Sequence, residues 1–204
     1  ELSQKFSEHV LDATDGFTHY ASTDQLDGVP ADVRQAARAA AQAEGKDGHK
    51  LTLHQPVYQP VMQYATHRVL RATLYKAYVT RASELGPADQ DNTALMRELI
   101  ELRQEAAQLL GHASYADVSL VPKMARNPAE VNAFLQDLAQ RAKPYAERDV
   151  QELREFAAAE LGMPTLEAWD VAFVSEKLKE ARYAFSDLEV KRYFTEPKVL
   201  AGLF

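Results

Sequence analysis

The sequence predicts a mainly α-helical fold. Apolar residues recur every three or four positions along most of the chain, which is the spacing of one face of an α-helix. Proline and glycine stand at the ends of these stretches, where helices begin and stop. Only one segment, Lys50 to Pro56, has the short, bracketed composition of a strand. We therefore expect a multi-helix segment with at most one short strand element.

Three helices are predicted around this strand. The first carries an apolar stripe from Leu2 to Tyr20. The second opens at Pro30, where the missing N–H costs no hydrogen bond, and runs through Ala43. The third spans Arg68 to Ala82 and ends before Gly86-Pro87.

The clearest helical pattern runs from Asn92 to Leu110. Gly111 follows it as the expected left-handed cap. A capping box, Asn127 to Glu130, then starts a longer helix. Pro144 is expected to kink or break this helix, since proline removes one backbone donor and clashes with the preceding turn.

Two shorter helices complete the prediction. Asp170 can cap a helix that runs through Ala181, and Ser186 to Glu189 forms a second capping box. The sequence has neither an internal repeat nor a marked domain boundary. Residues 1–204 are therefore interpreted as a single helical segment.

Composition excludes several classes of function. The net charge of −7 argues against a nucleic-acid partner, which requires clustered Lys and Arg. No apolar run approaches the length of a membrane span. The absence of cysteine excludes disulfides and thiolate metal sites, and it fits a cytoplasmic location. The chain opens at Glu1 and stops at Phe204, and we expect both ends to be cuts within a longer protein.

The six histidines do not form a zinc motif. A helical zinc site needs two imidazoles one turn apart with a glutamate between them, and no His-Glu-x-x-His occurs. His49 and His54 are expected on opposite faces of the strand, and His9 and His19 are too far apart on the first helix to share an ion. Nucleophile elbows and phosphate loops are also absent. We therefore assign no catalytic and no metal-binding residue.

Several stretches nevertheless resemble one enzyme family in order and spacing. They are Phe6 to Thr14, Leu51 to Leu53 with Pro56 to Met62, Arg71 to Ser83, Ala168 to Lys177, and Arg192 to Phe194. Together they resemble the thimet oligopeptidase family of zinc metallopeptidases over nearly the whole chain. Phe173 departs from the family pattern, in which tyrosine is expected.

The resemblance implies a two-lobed helical parent enzyme whose deep channel admits short peptides. In that family, zinc is held by the two histidines of His-Glu-x-x-His and a further glutamate, and the motif glutamate activates the zinc-bound water. No position of this sequence matches those residues. We therefore expect zinc in the intact parent and none bound by this segment, which should be inactive alone.

One group of residues is a candidate for peptide contact. Trp169, Asp170, Phe173 and Lys177 are expected on successive turns of one helix, and mixed aromatic and charged side chains suit a peptide groove. The alternative is that Trp169 and Phe173 belong to the core while Lys177 is solvated. A similar cluster, Tyr75, Tyr78 and Arg81, is interpreted as structural packing.

Two functions remain open at the level of sequence. One is a scaffold segment of a peptidase; the other is a free-standing helical interaction module that has lost the catalytic half. The coding sequence beyond Phe204 would discriminate them. If the segment belongs to a two-lobed enzyme, we expect it to self-associate in isolation through apolar surface, mainly from Leu51 to Met62 and from Tyr193 to Phe204. The alternative is a self-contained subdomain with a closed core.

Overall fold

A computed structural model describes residues 1–185, 187–191 and 193–203, and this part of the chain is mainly α-helical. The predicted fold class is confirmed. The helices are α1 (Leu2–Asp15), α2 (Ala31–Ala43), α3 (Gln55–Tyr64), α4 (Arg68–Val79), α5 (Thr93–Leu109), α6 (Tyr115–Leu120), α7 (Pro128–Glu160), α8 (Val171–Tyr183), α9 (Asp187–Lys191) and α10 (Glu196–Leu203). The strands are β1 (His19–Ala21) and β2 (His49–Leu51). In the described residues, no helix has both the length and the hydrophobicity required to cross a bilayer.

The chain divides into two compact units. One consists of Glu1–Ala13 and Thr80–Gln151, and the other of Thr14–Val79 and Glu152–Phe204. Both units are discontinuous in sequence. The chain therefore passes from one unit to the other more than once.

The strands form a two-stranded antiparallel sheet. His19 lies opposite Leu51, and Ala21 lies opposite His49. The predicted strand is thus present but ends at Leu51, and His54 is the N-cap of α3 rather than a strand residue. The expectation that the first helix continues to Tyr20 was wrong. Helix α1 ends at Asp15, before Gly16, and the residues around Tyr20 satisfy their backbone groups by pairing with β2.

Most other helix ends agree with the sequence. Helices α2 and α5 occupy the predicted ranges within one residue, and Gly111 after α5 has the expected positive φ of 77°. Helix α4 ends at Val79 instead of Ala82. Ala82 itself has a φ of 51°, which is outside the right-handed helical region.

Helix α7 begins as predicted and continues further than expected. Oδ1 of Asn127 accepts a hydrogen bond of 2.9 Å from the Glu130 backbone N–H, as an N-cap does. The Glu130 carboxylate accepts from the backbone N–H of Arg126, one residue before the expected partner. Of the kink or break expected at Pro144, the break does not occur, because α7 spans 33 residues and includes this proline.

The C-terminal region contains one helix that the sequence did not predict, α10. Helix α9 starts at Asp187, in agreement with the second capping box. The expected cap Ser186 lies outside the described residues. So do Phe204 and Arg192, the latter being the first residue of the last stretch used for the family resemblance.

The larger core belongs to the unit that contains the sheet. Its most buried side chains are Leu26, Leu51, Leu53, Val61, Leu70 and Leu74. A second cluster joins Ala157 of α7 to Phe173 and Val174 of α8. The burial of Leu51, Leu53, Val61 and Met62 overturns the expectation that Leu51 to Met62 offers exposed apolar surface.

The other unit is anchored by a buried asparagine before α5. The Asn92 side-chain amide donates to the Phe6 carbonyl oxygen at 3.0 Å. Its Oδ1 lies 2.9 Å from Nδ1 of His9. These contacts fix the first turns of α1 on the start of α5 within this unit.

Candidate functional site

The predicted site residues lie where α4 meets the start of α8. Asp170 ends a short 3₁₀ helix, Ala168–Asp170, immediately before α8. Its carboxylate is fully buried. Asp170 occupies the N-cap position of α8, as predicted, but its side chain makes no cap hydrogen bond to that helix. It accepts instead from the backbone N–H of Glu167 and points to α4.

Two arginines of α4 hold the Asp170 carboxylate. Nη2 of Arg71 donates to Oδ1 at 2.7 Å, and both side chains are buried. Nη2 and Nε of Arg68 donate to Oδ2 at 2.7 and 3.0 Å. This charge-assisted contact links α4 to the start of α8, residues about 100 positions apart in the sequence.

The electrostatics of the cluster favour its charged form. Burial by itself raises the pKa of Asp170, but the hydrogen bonds from Arg68 and Arg71 outweigh it, so the pKa lies below its ordinary value. Burial lowers the pKa of Arg71, and the hydrogen bond that Arg71 donates to Asp170 opposes that shift. Arginine stays protonated in proteins, so two guanidinium groups share one carboxylate. The other N–H groups of the Arg71 guanidinium donate hydrogen bonds to the backbone oxygens of Ala65, Thr66 and Trp169.

Phe173 is a core residue that contacts this cluster. Its side chain is buried, and the Arg71 guanidinium lies 4.2 Å from the ring centroid. The negative face of an aromatic ring attracts such a cation. Phe173 thus covers the buried Arg71 guanidinium on the side of α8.

Trp169 and Lys177 are less buried than Asp170 and Phe173. The Trp169 ring packs edge-on against Tyr75 at 6.1 Å, with Lys76 Nζ at 5.7 Å from its centroid. The Lys177 ammonium pairs with Glu180 at 2.8 Å. The four candidates therefore do not share one exposed face. Peptide contact by these residues stays a prediction.

The tyrosine cluster extends onto a neighbouring helix. Tyr78 stacks on Tyr58 of α3 with ring centroids 4.2 Å apart. Its hydroxyl oxygen accepts from Nε2 of Gln55 at 2.8 Å. Arg81 follows α4 and belongs to the other unit. Sequence reasoning did not identify Tyr58 as a member of the cluster.

Sequence reasoning also missed Arg68 and Arg71. One signal was present: Arg71 falls between Leu70 and Leu74 on the apolar side of α4, where a charge requires a buried partner. Nothing local identifies that partner as Asp170. Arg71 and Asp170 are far apart in the sequence and come together only when the chain folds.

The residues described by the structure do not fit a zinc ion. They contain no group of three His, Cys, Asp or Glu side chains placed to hold a metal. His54 pairs with Asp15, and His9 pairs with Asn92. No chemical step through zinc can therefore be assigned to these residues.

Comparison with known proteins identifies the family. The model of "Peptidase family M3" matches residues 61–204, which include α4, Asp170 and α8. The chain belongs to peptidase family M3. The resemblance seen in the sequence is thereby confirmed.

Relatives within family M3 are similar along the whole chain. Oligopeptidase A of Salmonella typhimurium is 46% identical over 207 residues, which are 100% of this chain and 30% of that protein. Oligopeptidase A of Escherichia coli has the same identity and coverage. The probable cytosolic oligopeptidase A of Arabidopsis thaliana is 38% identical over 219 residues, again 100% of this chain and 30% of the relative. The chain is thus similar to bacterial oligopeptidase A over its whole length, and it spans about 30% of the length of these relatives.

Proposed function

We propose that this chain is a scaffold segment of an M3 oligopeptidase that hydrolyses short peptides. The observation that carries the proposal is the 46% identity to oligopeptidase A along the entire chain. The Asp170 cluster gives the segment a physical task, because it fixes α8 against α4 through buried hydrogen bonds. Zinc and the catalytic residues belong to the remainder of the parent enzyme. The segment alone is inactive as a peptidase.

Within that parent, the segment contributes wall to the peptide channel. Trp169 and Lys177 are the partly exposed members of the predicted site, and they are the ones that would contact peptide. Asp170 and Phe173 support these two residues without contacting peptide themselves. Because both are buried, their proposed role is to orient the wall rather than to contact substrate.

A cytoplasmic location is part of the proposal. It is supported by the similar Arabidopsis thaliana protein that is named a probable cytosolic oligopeptidase A. Short peptides are the proposed substrates of the parent.

The isolated chain is proposed to self-associate through exposed apolar side chains. On α7, Phe134, Leu135 and Tyr145 are 62%, 54% and 63% exposed. On α10, Leu200 and Leu203 are 50% and 70% exposed. Burying such surface stabilises association by roughly 25 cal/mol per Å². These faces also support the second candidate, a helical interaction module, whose partner would cover them.

The test uses the purified chain, a quenched fluorescent peptide and added zinc. The proposal predicts no hydrolysis and no stoichiometric zinc by elemental analysis. Hydrolysis that scales with chain concentration and is abolished by a chelator would overturn it. Light scattering and binding of a hydrophobic dye test association in the same preparation. A clean monomer without dye binding would refute self-association.

A further inference from the structure

A groove of about 590 Å³ lies between α2 and α3, apart from the Asp170 cluster. We call it the α2–α3 groove. Its apolar part is formed by Val33 and Ala36 of α2 and Val57 of α3. The volume is within the range of about 300–1,000 Å³ common for ligand sites. Nothing in the proposed scaffold role uses this groove.

Three glutamines line one edge of the α2–α3 groove. Gln55, Gln59 and Gln63 follow one another at intervals of four residues along α3. Four helical residues rise about 6 Å, and two residues of an extended peptide span about 6.6 Å. Successive glutamines can therefore meet equivalent backbone groups of every second peptide residue. Each amide offers an acceptor and two donors, which match the C=O and N–H of a peptide unit.

These amides are available for a ligand. Gln59 is exposed and Gln63 is half-buried. Neither side chain makes a hydrogen bond among the residues that the structure describes. Gln55 uses its Nε2 to bind the Tyr78 hydroxyl, which orients the amide and leaves its carbonyl oxygen as an acceptor.

A proline interrupts the regular hydrogen bonding of α3 beside the same groove. Pro60 lies inside the helix and has no N–H, so the carbonyl of Pro56 lacks its usual helical partner. Both prolines line the groove. The interruption in the regular hydrogen bonding of α3 therefore lies beside the groove.

The charges lining the groove cancel. Asp32 and Lys191 are its only ionisable lining residues in the described structure, and they pair at 3.1 Å. The hydrogen bond from Lys191 keeps the pKa of Asp32 below its ordinary value. The groove therefore favours a neutral, hydrogen-bonding backbone over a strongly charged ligand.

We propose that the α2–α3 groove binds a short peptide in an extended conformation. The amides of Gln59 and Gln63 pair with the peptide backbone, while small apolar side chains pack on Val33 and Val57. The choice of a free peptide as the occupant rests on the proposed function as part of an oligopeptidase. The groove would hold peptide by its backbone and therefore with little dependence on sequence.

Fluorescence anisotropy with the full 204-residue chain tests this proposal. The probe is a labelled, end-blocked hexapeptide of alanine and valine. We expect saturable binding that the double variant Gln59→Met, Gln63→Met weakens by about tenfold, since each lost hydrogen bond weakens binding several-fold. Gln140→Met, on exposed α7, is the matched control and should bind as the unchanged chain does.

A second probe keeps the test independent of the variants' folding. The same hexapeptide methylated at every second backbone nitrogen loses donors but keeps its side chains, and it should bind the unchanged chain about tenfold more weakly. Equal binding of the methylated probe, no binding of either probe, or no effect of the double variant would overturn the proposal. So would chain dimerisation that the double variant abolishes, because the occupant would then be a second copy. Since no hydrolysis is measured, failure of the oligopeptidase proposal would be seen separately.

Discussion

Arg71 donates a 2.7 Å hydrogen bond to the Asp170 carboxylate, and both side chains are almost completely buried. The two residues come from α4 and from the turn before α8. Because a buried charge without a partner is costly, each residue depends on the other. The pair can therefore form only when α4 and the start of α8 are packed in this relative position.

Replacing Asp170 with alanine should destabilise the chain strongly. The substitution leaves Arg71 buried without its carboxylate, and breaking a buried pair in this way costs about 3–5 kcal/mol. Urea unfolding followed by circular dichroism measures the loss. Asp137→Ala removes an exposed pair with Arg141 on α7 and should change stability little. Equal effects of the two variants would contradict the role of Asp170.

The same carboxylate should contribute a pH-dependent part of the stability. Its pKa is lowered in the folded chain, so its contribution is complete above the unfolded value of about 3.9 and is lost as pH falls through the folded pKa. Asp170→Asn cannot titrate. We therefore expect urea midpoints of this variant to fall less steeply in acid than those of the unchanged chain. Parallel pH profiles would show that Asp170 does not have a depressed pKa.

Phe173→Ala should also be destabilising. Removing a buried phenylalanine costs about 3–5 kcal/mol, and this ring covers the Arg71 guanidinium as well. Phe134→Ala, at a position 62% exposed, is the matched control. Thermal unfolding should show a large decrease in Tm for the first variant and a small change for the second. The reverse order would place Phe173 outside the core.

Gly28 should not tolerate a side chain. Its φ is +83°, and a Cβ would collide with the backbone carbonyl oxygen of Tyr64. Gly45 has a φ of +66° but nothing near its Cβ position. Both Gly→Ala variants bear the left-handed penalty of about 1–2 kcal/mol, and only Gly28→Ala adds the collision. Urea midpoints should therefore be lower for Gly28→Ala, and similar midpoints would contradict the close approach.

The sequence predicted local structure better than long-range contacts. Helices such as α5 were predictable because all of their signals lie within one segment. For α5 these are the apolar stripe, the N-terminal start and the cap at Gly111. The strand β1 was not, because it exists through pairing with β2, about 30 residues away. Helix α7 continues through Pro144, although a proline inside a helix locally favours a break.

The site shows the same limit. Asp170 and Phe173 were predicted as candidate peptide contacts, but both are buried, and their partners Arg68 and Arg71 lie on another helix. The spacing within α8 could not distinguish a peptide-facing side from a core-facing side. Only the packing of α4 against the start of α8 does so.

The scaffold role is tested most directly by transplanting the segment into a relative. This chain would replace the matching 207 residues of Escherichia coli oligopeptidase A, to which it is 46% identical. Hydrolysis of a quenched fluorescent peptide is then measured. The account predicts that the folded chimaera hydrolyses the peptide, whereas the chain alone does not. A chimaera that folds and binds zinc but remains inactive would contradict it.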